Sequence, residues 1–496
     1  MEGQVVKRVV IAGGGTAGWV AAAGLVSQLG PLLDIVLVES EDIGTVGVGE
    51  ATIPTIRGYH GLLGLDEREF VRAAKATFKL GIAFENWARL GDRYIHSFGR
   101  IGKSTWMGDF HHYWLQAKAE GYGGTIGAYC IEHQAADAGR FFTSEKSPIN
   151  YAYHLDAGLY ARFLREFSEP KGVRRIEGKI VGVDQDGESG FIRALVMESG
   201  ERIEGDLFID CTGFRGLLIE QALKAGYEDW RRWLATDSAL AVQTALHGDI
   251  PPYTRAIARQ AGWQWRIPLR HRVGNGLVYC SEHMSDEDAR TELLGHLEGA
   301  LVTEPKLIRY RTGRRRKTWE KNCVALGLAG GFVEPLESTS IHLIMIGVTR
   351  LIQLFPFGGV NDALAKRYND QAKNELEKIR DFIILHYKLT ERDDAPFWRR
   401  CREMEVPDSL AQRIALFREN ALAWQDPDEL FRVDSWVQVM LGQRLEPRGR
   451  HHMGRLLGGE RLRRALDSLR RNIADAVARM PSHQAFLESY YAPTGD

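Results

Sequence analysis

Cysteine is scarce in this chain of 496 residues, and no two cysteines form a C-x-x-C pair. The cysteines are Cys130, Cys211, Cys280, Cys323 and Cys401. Single, scattered cysteines are typical of reduced thiols, and they support neither a disulfide framework nor a structural zinc site. The pairs His111-His112 and His451-His452 lack H-E-x-x-H or comparable spacing. We therefore predict no bound metal and a cytoplasmic location.

An excess of charge of either sign is absent as well. The chain has 64 Lys and Arg against 65 Asp and Glu, which gives a formal net charge of −1. This balance excludes a general electrostatic attraction to nucleic acid or to an anionic membrane. Any partner must therefore be recognised by local sites.

Long hydrophobic runs are also missing. The most apolar stretch, residues 342–357, is interrupted by Arg350 and is shorter than the roughly 20 residues of a membrane-spanning helix. Residues 1–8 lead into an apolar strand without the separate apolar region of a signal peptide. With 44% hydrophobic and 26% charged residues, the chain has the composition of a globular protein of two packed lobes, and we predict no membrane association.

A glycine-rich turn lies between a strand at residues 9–12 and an alanine-rich helix at 19–28, and a second strand follows at 34–39. In this βαβ context the G-x-G-x-x-G motif is typical of dinucleotide binding, with the pyrophosphate at the helix N-terminus and an acidic residue on the ribose. The alternative is a glycine-rich turn without a ligand. The predicted cofactor contacts of this motif are Gly13, Gly15, Thr16, Ala17, Gly18 and Glu39.

Residues 180–204 alternate short β-runs with turns, and a buried strand at 205–210 then leads into Cys211-Thr212-Gly213. This order resembles the glutathione-reductase-type FAD fold. Because only one dinucleotide fingerprint is evident, no separate NAD(P)H domain is indicated.

The basic run 314–317 lacks the aromatic context of a nucleic-acid site, so we expect it to be solvated or to lie at the flavin edge.

The predicted fold class is α/β, with this FAD-binding fold, a β-rich insertion and a C-terminal helical region. We assign residues 1–60, 171–234 and 316–358 to a discontinuous FAD-binding module. Residues 61–170 and 235–315 form the predicted substrate region, and residues 359–496 form helices that cover the substrate. The first insertion opens on a capping box at Asp66, and the second has a predicted hairpin turn at Gly274-Asn275-Gly276.

Three further features could carry chemistry. The amides of Thr339 and Ser340 precede a predicted helix from Ile341, where a small anion such as a halide fits. The alternative is a simple N-cap by Ser338 or Thr339 with Glu337 exposed.

Lys79 falls on the polar face of a helix continued from Asp66, so periodicity predicts a solvated side chain. Trp263 and Trp265 share one strand face, as an aromatic wall or as ordinary core.

The motif W-x-W-x-I-P at residues 263–268, together with the N-terminal G-x-G-x-x-G, resembles the flavin-dependent tryptophan halogenase family. The resemblance also covers residues 47–54, 78–81 and 334–340, so it extends over most of residues 5–350. It implies that Lys79 activates hypohalous acid and that Glu337 is the carboxylate at the substrate. It further implies a tunnel wall formed by Trp263, Trp265 and Pro54. The implied additional flavin contacts are Ala51, Ile180 and Leu328, and the implied halide site is Thr339 with Ser340. Ser340 stands where several family members carry glycine.

The implied activity is that of a two-component halogenase. FADH2 from a separate flavin reductase and O2 convert chloride or bromide into hypohalous acid, which halogenates an electron-rich ring, expected to be indole or an indole derivative. The alternatives are a single-component flavin aromatic hydroxylase and a non-catalytic flavin-binding module. Free-tryptophan halogenases similar to this chain hold the amino-acid end of the substrate with a Tyr-Tyr pair, and residues 437–450 lack such a pair. Whether the protein forms a homodimer is left open by the sequence.

Overall fold

The computed structural model describes residues 5–42, 49–146 and 149–492. The chain divides into two compact units. The first unit comprises Met1–Ala76, Leu155–Ala235 and Arg309–Glu377, and the second comprises Thr77–His154, Thr236–Ile308 and Lys378–Asp496. Among the described residues, no helix combines the length and the apolar character that a membrane crossing requires.

The strands of the described residues, in chain order, are β1 (Arg8–Ala12), β2 (Asp34–Glu39), β3 (Gly49–Ala51), β4 (Thr77–Lys79), β5 (Gly81–Glu85), β6 (Arg93–Ser97), β7 (Ala152–Asp156), β8 (Val173–Glu177), β9 (Ile180–Gln185), β10 (Ile192–Met197), β11 (Arg202–Glu204), β12 (Leu207–Asp210), β13 (Tyr227–Asp229), β14 (Ser238–Thr244), β15 (Thr254–Arg259), β16 (Gly262–Pro268), β17 (Val273–Tyr279), β18 (Lys306–Arg309), β19 (Gly313–Arg315), β20 (Trp319–Glu320), β21 (Cys323–Ala325) and β22 (Gly331–Phe332).

The α-helices of the same residues are α1 (Thr16–Leu29), α2 (Thr55–Leu63), α3 (Glu67–Ala73), α4 (Phe110–Ala119), α5 (Ile131–Asp137), α6 (Ala157–Ser168), α7 (Asp286–Gly295), α8 (Ser340–Gln353), α9 (Asp362–Lys388), α10 (Pro396–Glu403), α11 (Asp408–Asn420), α12 (Val433–Gly442), α13 (Gly459–Ala478) and α14 (His483–Tyr491). The predicted C-terminal helical region corresponds to α9 through α14.

A six-stranded sheet organises the first unit, in the order β20-β21-β12-β1-β2-β8. Strand β1 runs parallel to β2 and β12, and its residues Val9 to Ala12 are fully buried because they point into the layers on both faces. The meander β9-β10-β11 packs its apolar side chains on this sheet, around Val10, Val36 and Phe208. The predicted FAD-type α/β fold is thereby confirmed.

A seven-stranded sheet in the order β18-β14-β17-β16-β15-β5-β6 organises the second unit. Strands β14 to β17 pair antiparallel, and β15 pairs parallel with β5. Strand β4 pairs antiparallel with β7, which places Lys79 opposite Ala152. These pairings bring segments far apart in the chain into one scaffold.

The predicted hairpin turn at Gly274-Asn275-Gly276 was wrong. These residues lie inside β17 and pair with β16, with Gly276 opposite Trp265. The chain reverses just before them, where the Leu269 N–H donates to the Arg272 carbonyl at 2.9 Å. A Cβ on Gly276 would lie 2.1 Å from the Trp265 indole, so this glycine makes room for a large ring and does not form a turn.

Candidate functional site

The glycine-rich turn of the first unit is built for close approach of a phosphate group. Gly13 has φ +105°, and a Cβ on Gly18 would lie 1.9 Å from the Gly13 carbonyl oxygen, so only glycine permits this tight strand-to-helix packing. At Gly15, which precedes α1, an added Cβ would meet no atom of the described residues within 4 Å. The N-terminus of α1 therefore faces open space and fits a pyrophosphate.

Glu39 ends β2 beside this turn. A Cβ on Gly14 would overlap its carboxylate, and Trp19 Nε1 donates to Glu39 Oε2 at 3.3 Å. Arg175 also pairs with Glu39. The carboxylate is thereby held in the place where a ribose hydroxyl would donate to it, so these residues fit the adenosine half of FAD.

The remaining predicted flavin contacts lie in different parts of the first unit. Leu328 belongs to the turn Gly327–Ala329, which lies against α1 because a Cβ on Gly327 would be 2.9 Å from that of Ala17. Ala51 is buried at the end of β3, whereas Ile180 packs against the apolar core of the meander. Gly47 and Val48 of the resembling segment lie outside the described residues.

The segment before α8 combines buried polar groups with an uncapped helix end. Ser338 has φ +59°, and α8 begins at Ser340 with Thr339 as its N-cap residue. The Thr339 side chain makes no capping hydrogen bond, and its buried Oγ1 has no hydrogen-bond partner among the described residues. Since Glu337 is only 1% exposed, the alternative of an exposed glutamate was wrong. The amides of a helix start without a side-chain cap, beside an unused buried hydroxyl, fit a small anion.

Lys79 contradicts the helical placement that periodicity predicts. Helix α3 begins as expected, with Asp66 accepting from the Glu69 N–H at 2.8 Å, but it ends at Ala73. Lys75 then turns the chain with φ +47°, and Lys79 lies on β4 with no exposed surface. Its Nζ is 5.2 Å from the centroid of the Phe98 ring. A buried lysine is costly, so its position needs a functional or electrostatic reason.

A hydrogen-bonded chain joins the Lys79 strand to the W-x-W strand within the second unit. Thr77 Oγ1 donates to the Pro268 carbonyl at 2.7 Å and lies 3.0 Å from Nδ1 of His154. Because Thr77 donates its proton to Pro268, it accepts from His154 Nδ1–H, and Nε2 of His154 accepts from Thr254 Oγ1 at 2.9 Å. Burial, with Lys79 and another histidine nearby, holds the pKa of His154 well below its usual range. His154 is therefore a neutral neighbour of Lys79.

The two tryptophans of β16 form the aromatic surface that the sequence predicts on one strand face. Trp263 and Trp265 are 1% and 7% exposed, with ring centroids 6.2 Å apart. Trp265 Nε1 is buried and has no hydrogen-bond partner in the described part of the chain. Pro54, predicted as part of the same wall, belongs to the first unit and precedes α2.

His483 is a residue that the sequence analysis missed. It begins α14, and its Nε2 accepts from the Phe78 N–H at 3.2 Å, while its Nδ1 donates to the Ile250 carbonyl at 2.8 Å. Burial lowers the pKa of His483 to about 4, so both contacts persist at neutral pH. Its imidazole fixes the backbone of β4 one residue before Lys79, and no short-range spacing signals this contact.

The basic run at residues 314–317 is only partly solvated. Arg316 and Lys317 are exposed, but Arg314 and Arg315 are buried, which corrects the solvated interpretation for these two. Arg314 pairs with Glu228 at 2.7 Å, and Arg315 pairs with Glu220 at 2.7 Å. Each buried arginine of the first unit is thus held by a glutamate that is itself partly exposed.

Comparisons with known proteins agree with this geometry. The family description "Tryptophan halogenase" matches residues 8–458. Tryptophan 6-halogenase SttH of Streptomyces toxytricini is 38% identical over 82% of this chain and 83% of its own. Tryptophan 7-halogenase RebH of Lentzea aerocolonigenes is 36% identical over 84% and 83%.

Solved structures agree as well. Xcc4156, a flavin-dependent halogenase from Xanthomonas campestris, matches with a TM-score of 0.97 and 53% identity over 99% of this chain and 100% of its own. BrvH, a flavin-dependent halogenase from Brevundimonas sp. BAL3, matches with a TM-score of 0.94 and 47% identity over 98% and 99%.

A FAD-type α/β fold with these matches defines a flavin-dependent halogenase. The chain belongs to the tryptophan halogenase family. It uses FADH2, O2 and chloride or bromide to halogenate an aromatic ring, and its FADH2 comes from a separate flavin reductase.

Proposed function

We propose that this halogenase acts on indole or an indole derivative, with Lys79 handling the electrophile and Glu337 acting at the ring. The observation that carries this proposal is Lys79 itself, a fully buried lysine on β4 that Thr77 ties to the end of the W-x-W strand. Such a costly position is typical of a group that meets a reactive species in a water-poor cavity.

We assign the flavin to the first unit, held at the α1 N-terminus by the glycine turn and Thr16-Ala17, with Glu39 on the ribose. Ala51, Ile180 and Leu328 are proposed as further contacts. When bound, reduced FAD would supply two of the four electrons that reduce O2, and the halide, oxidised to hypohalous acid, would supply the other two, with water as the second product. The uncapped start of α8 at Thr339 and Ser340 would hold the halide, since Thr339 Oγ1 and the amides can donate to an anion.

Lys79 can direct the electrophile in two ways. As an ammonium it would hydrogen-bond hypohalous acid and polarise the oxygen–halogen bond, and as a neutral amine it would carry the halogen as a haloamine. Both routes require a lysine that bulk water does not reach, and both deliver the halogen at one fixed position. Proximity then sets which ring carbon is halogenated.

Glu337 supplies the negative charge that the reaction needs. Attack of an aromatic carbon on the halogen gives a cationic ring, and a buried carboxylate stabilises that cation more strongly than an exposed one. The same carboxylate can then take the ring proton and restore aromaticity. In this proposal Trp263 and Trp265 form the tunnel wall that the family resemblance implies, and the unused Nε1 of Trp265 gives that wall a hydrogen-bond donor.

The purified chain with FAD and NADH alone is expected to be inactive, because one dinucleotide fingerprint serves the flavin and no nicotinamide domain was found in the sequence. A flavin reductase, or chemically reduced FAD, should restore halogenation. Rapid NADH oxidation by the highly purified chain would contradict this prediction.

Indole is expected to be preferred over L-tryptophan. A bound amino-acid tail needs partners for its ammonium and carboxylate, without which desolvation costs several kcal/mol. Residues 437–450 lack the tyrosine pair, and two of their charged side chains are already paired, Arg444 with Asp92 at 2.6 Å and Glu446 with Lys118 at 3.3 Å. Competition between equimolar indole and L-tryptophan measures the preference, and a clearly higher kcat/KM for tryptophan would refute it.

His483→Ala should lower the yield of halogenated product per O2 consumed about tenfold, because losing a pair of hydrogen bonds loosens the Lys79 strand. His483→Gln should keep most of that yield, since an amide can accept from Phe78 N–H and donate to Ile250. Flavin oxidation should be unchanged in both variants. Wild-type coupling in a folded His483→Ala variant would exclude this positioning role.

We infer a cytoplasmic location from the five cysteines, all of which are free thiols. The homodimer stays a prediction.

A further inference from the structure

A turn after β17 brings together three side chains that the halogenation chemistry does not use. The Sγ of Cys280, a carboxylate oxygen of Glu282 and a ring nitrogen of His283 lie within 4.8 Å of one another. Cys280 is buried, His283 is half-buried and Glu282 is exposed, so the cluster opens toward solvent on its glutamate side. All three residues belong to the second unit.

Backbone hydrogen bonds hold this turn in place. The N–H groups of His283 and Met284 both donate to the Cys280 carbonyl, at 3.0 and 3.1 Å. The Glu282 N–H hydrogen-bonds to the Cys280 sulfur. A cysteine sulfur binds a metal as the thiolate, so metal binding at this turn releases the thiol proton. Cys280 also donates its own N–H to the Ala261 carbonyl at 2.9 Å, which anchors the turn to the sheet.

The charged surroundings favour a cation on balance. Ser281 anchors Asp237 beside the turn, donating from its N–H at 3.0 Å and from its Oγ at 2.6 Å. Asp237 and Glu282 add negative charge near the sulfur, and Arg400 is the positive group that faces it. Two carboxylates therefore outweigh the charge of this one guanidinium.

The donor set selects the kind of ion. One sulfur, one nitrogen and one oxygen suit Zn²⁺, whereas Ca²⁺ and Mg²⁺ prefer oxygen ligands. We propose that Cys280, Glu282 and His283 bind a Zn²⁺ ion, with water in the fourth position, and that this ion stabilises the turn. The sequence analysis found no metal site because it tested cysteine pairs and histidine pairs separately, and this site mixes the two as C-x-E-H.

Titration of the tag-free, chelator-treated full-length chain with cobalt chloride tests the proposal. A thiolate-to-Co²⁺ charge-transfer band should saturate at one equivalent and disappear when zinc chloride is added. Cys280→Ser should remove the band, and His283→Ala should weaken Zn²⁺ binding about tenfold or more. Cys323→Ser, which removes a buried thiol of the first unit, should leave the titration unchanged.

Absence of the band in the wild-type chain, or its persistence in Cys280→Ser, would overturn the proposal. Because Cys280 is buried, its variant could fail to fold, and circular dichroism would reveal this. The more exposed variants His283→Ala and Glu282→Gln then decide. Zn²⁺ should raise the thermal unfolding midpoint of the wild-type chain but not of His283→Ala, and an equal rise in both would contradict the assigned ligands.

Discussion

Lys79→Ala is expected to abolish halogenation while FAD binding and peroxide release by the reduced flavin stay intact. The reason is that Lys79 acts after oxygen has reacted, so its removal leaves hypohalous acid without the group that directs it to the ring. Halogenated product should fall below detection, and O2 consumption with FADH2 should stay near the wild-type rate. Liquid chromatography with mass detection measures the first, and an oxygen electrode measures the second.

Lys103→Ala is the matched control, because it removes an exposed lysine from the same unit and should leave both readings unchanged. Removing a buried lysine side chain from a strand could also disturb folding, so the thermal unfolding midpoint of Lys79→Ala must be compared with the wild type. Ordinary halogenating turnover in the folded variant would show that the assigned role is wrong.

Glu337→Gln should lower kcat for halogenation by about 10²-fold, the usual loss when a positioned base is removed. Glutamine keeps the size of the side chain but replaces one acceptor oxygen with a donor NH2 group, so the loss reports removal of the carboxylate that stabilises the cationic ring and takes its proton. The measurement is the rate of product formation with FADH2 supplied and the aromatic substrate saturating.

Glu334→Gln is the comparison for this second prediction. Glu334 is 0% exposed and Glu337 is 1% exposed, and they lie in the same short segment, so burial alone does not separate them. We expect a much smaller effect at Glu334. An unchanged rate in Glu337→Gln with a large loss in Glu334→Gln would move the role to Glu334.

The parts of the fold that depend on neighbouring residues could be predicted from the sequence. Strand β2 has the predicted bounds, and α1 follows the glycine turn because Gly13 and Gly18 alone allow the close approach of helix and strand. The start of α3 also follows from a local signal, the side chain of Asp66 on the Glu69 N–H. For the glycine turn and the start of α3, the determining atoms are only a few residues apart in the chain.

The errors arose where distant segments decide the structure. Periodicity continues the helix after Asp66 as far as Lys79, but β4 is extended because it pairs with β7 and because Phe78 is surrounded by aromatic rings. These rings belong to Phe141, Tyr151, Tyr153, Phe486 and Tyr490. Gly276 resembles a turn residue, but it faces Trp265 on the neighbouring strand. The resemblance to the halogenase family marked Lys79, and local periodicity could not.

The mass of the product tests the central claim most directly. The purified chain is incubated with indole, bromide, O2 and chemically reduced FAD, and the product is analysed by mass spectrometry. The account predicts a monobrominated indole with the paired isotope peaks of bromine. A product that has gained oxygen in place of bromine, or unchanged indole despite full oxidation of the flavin, would contradict it.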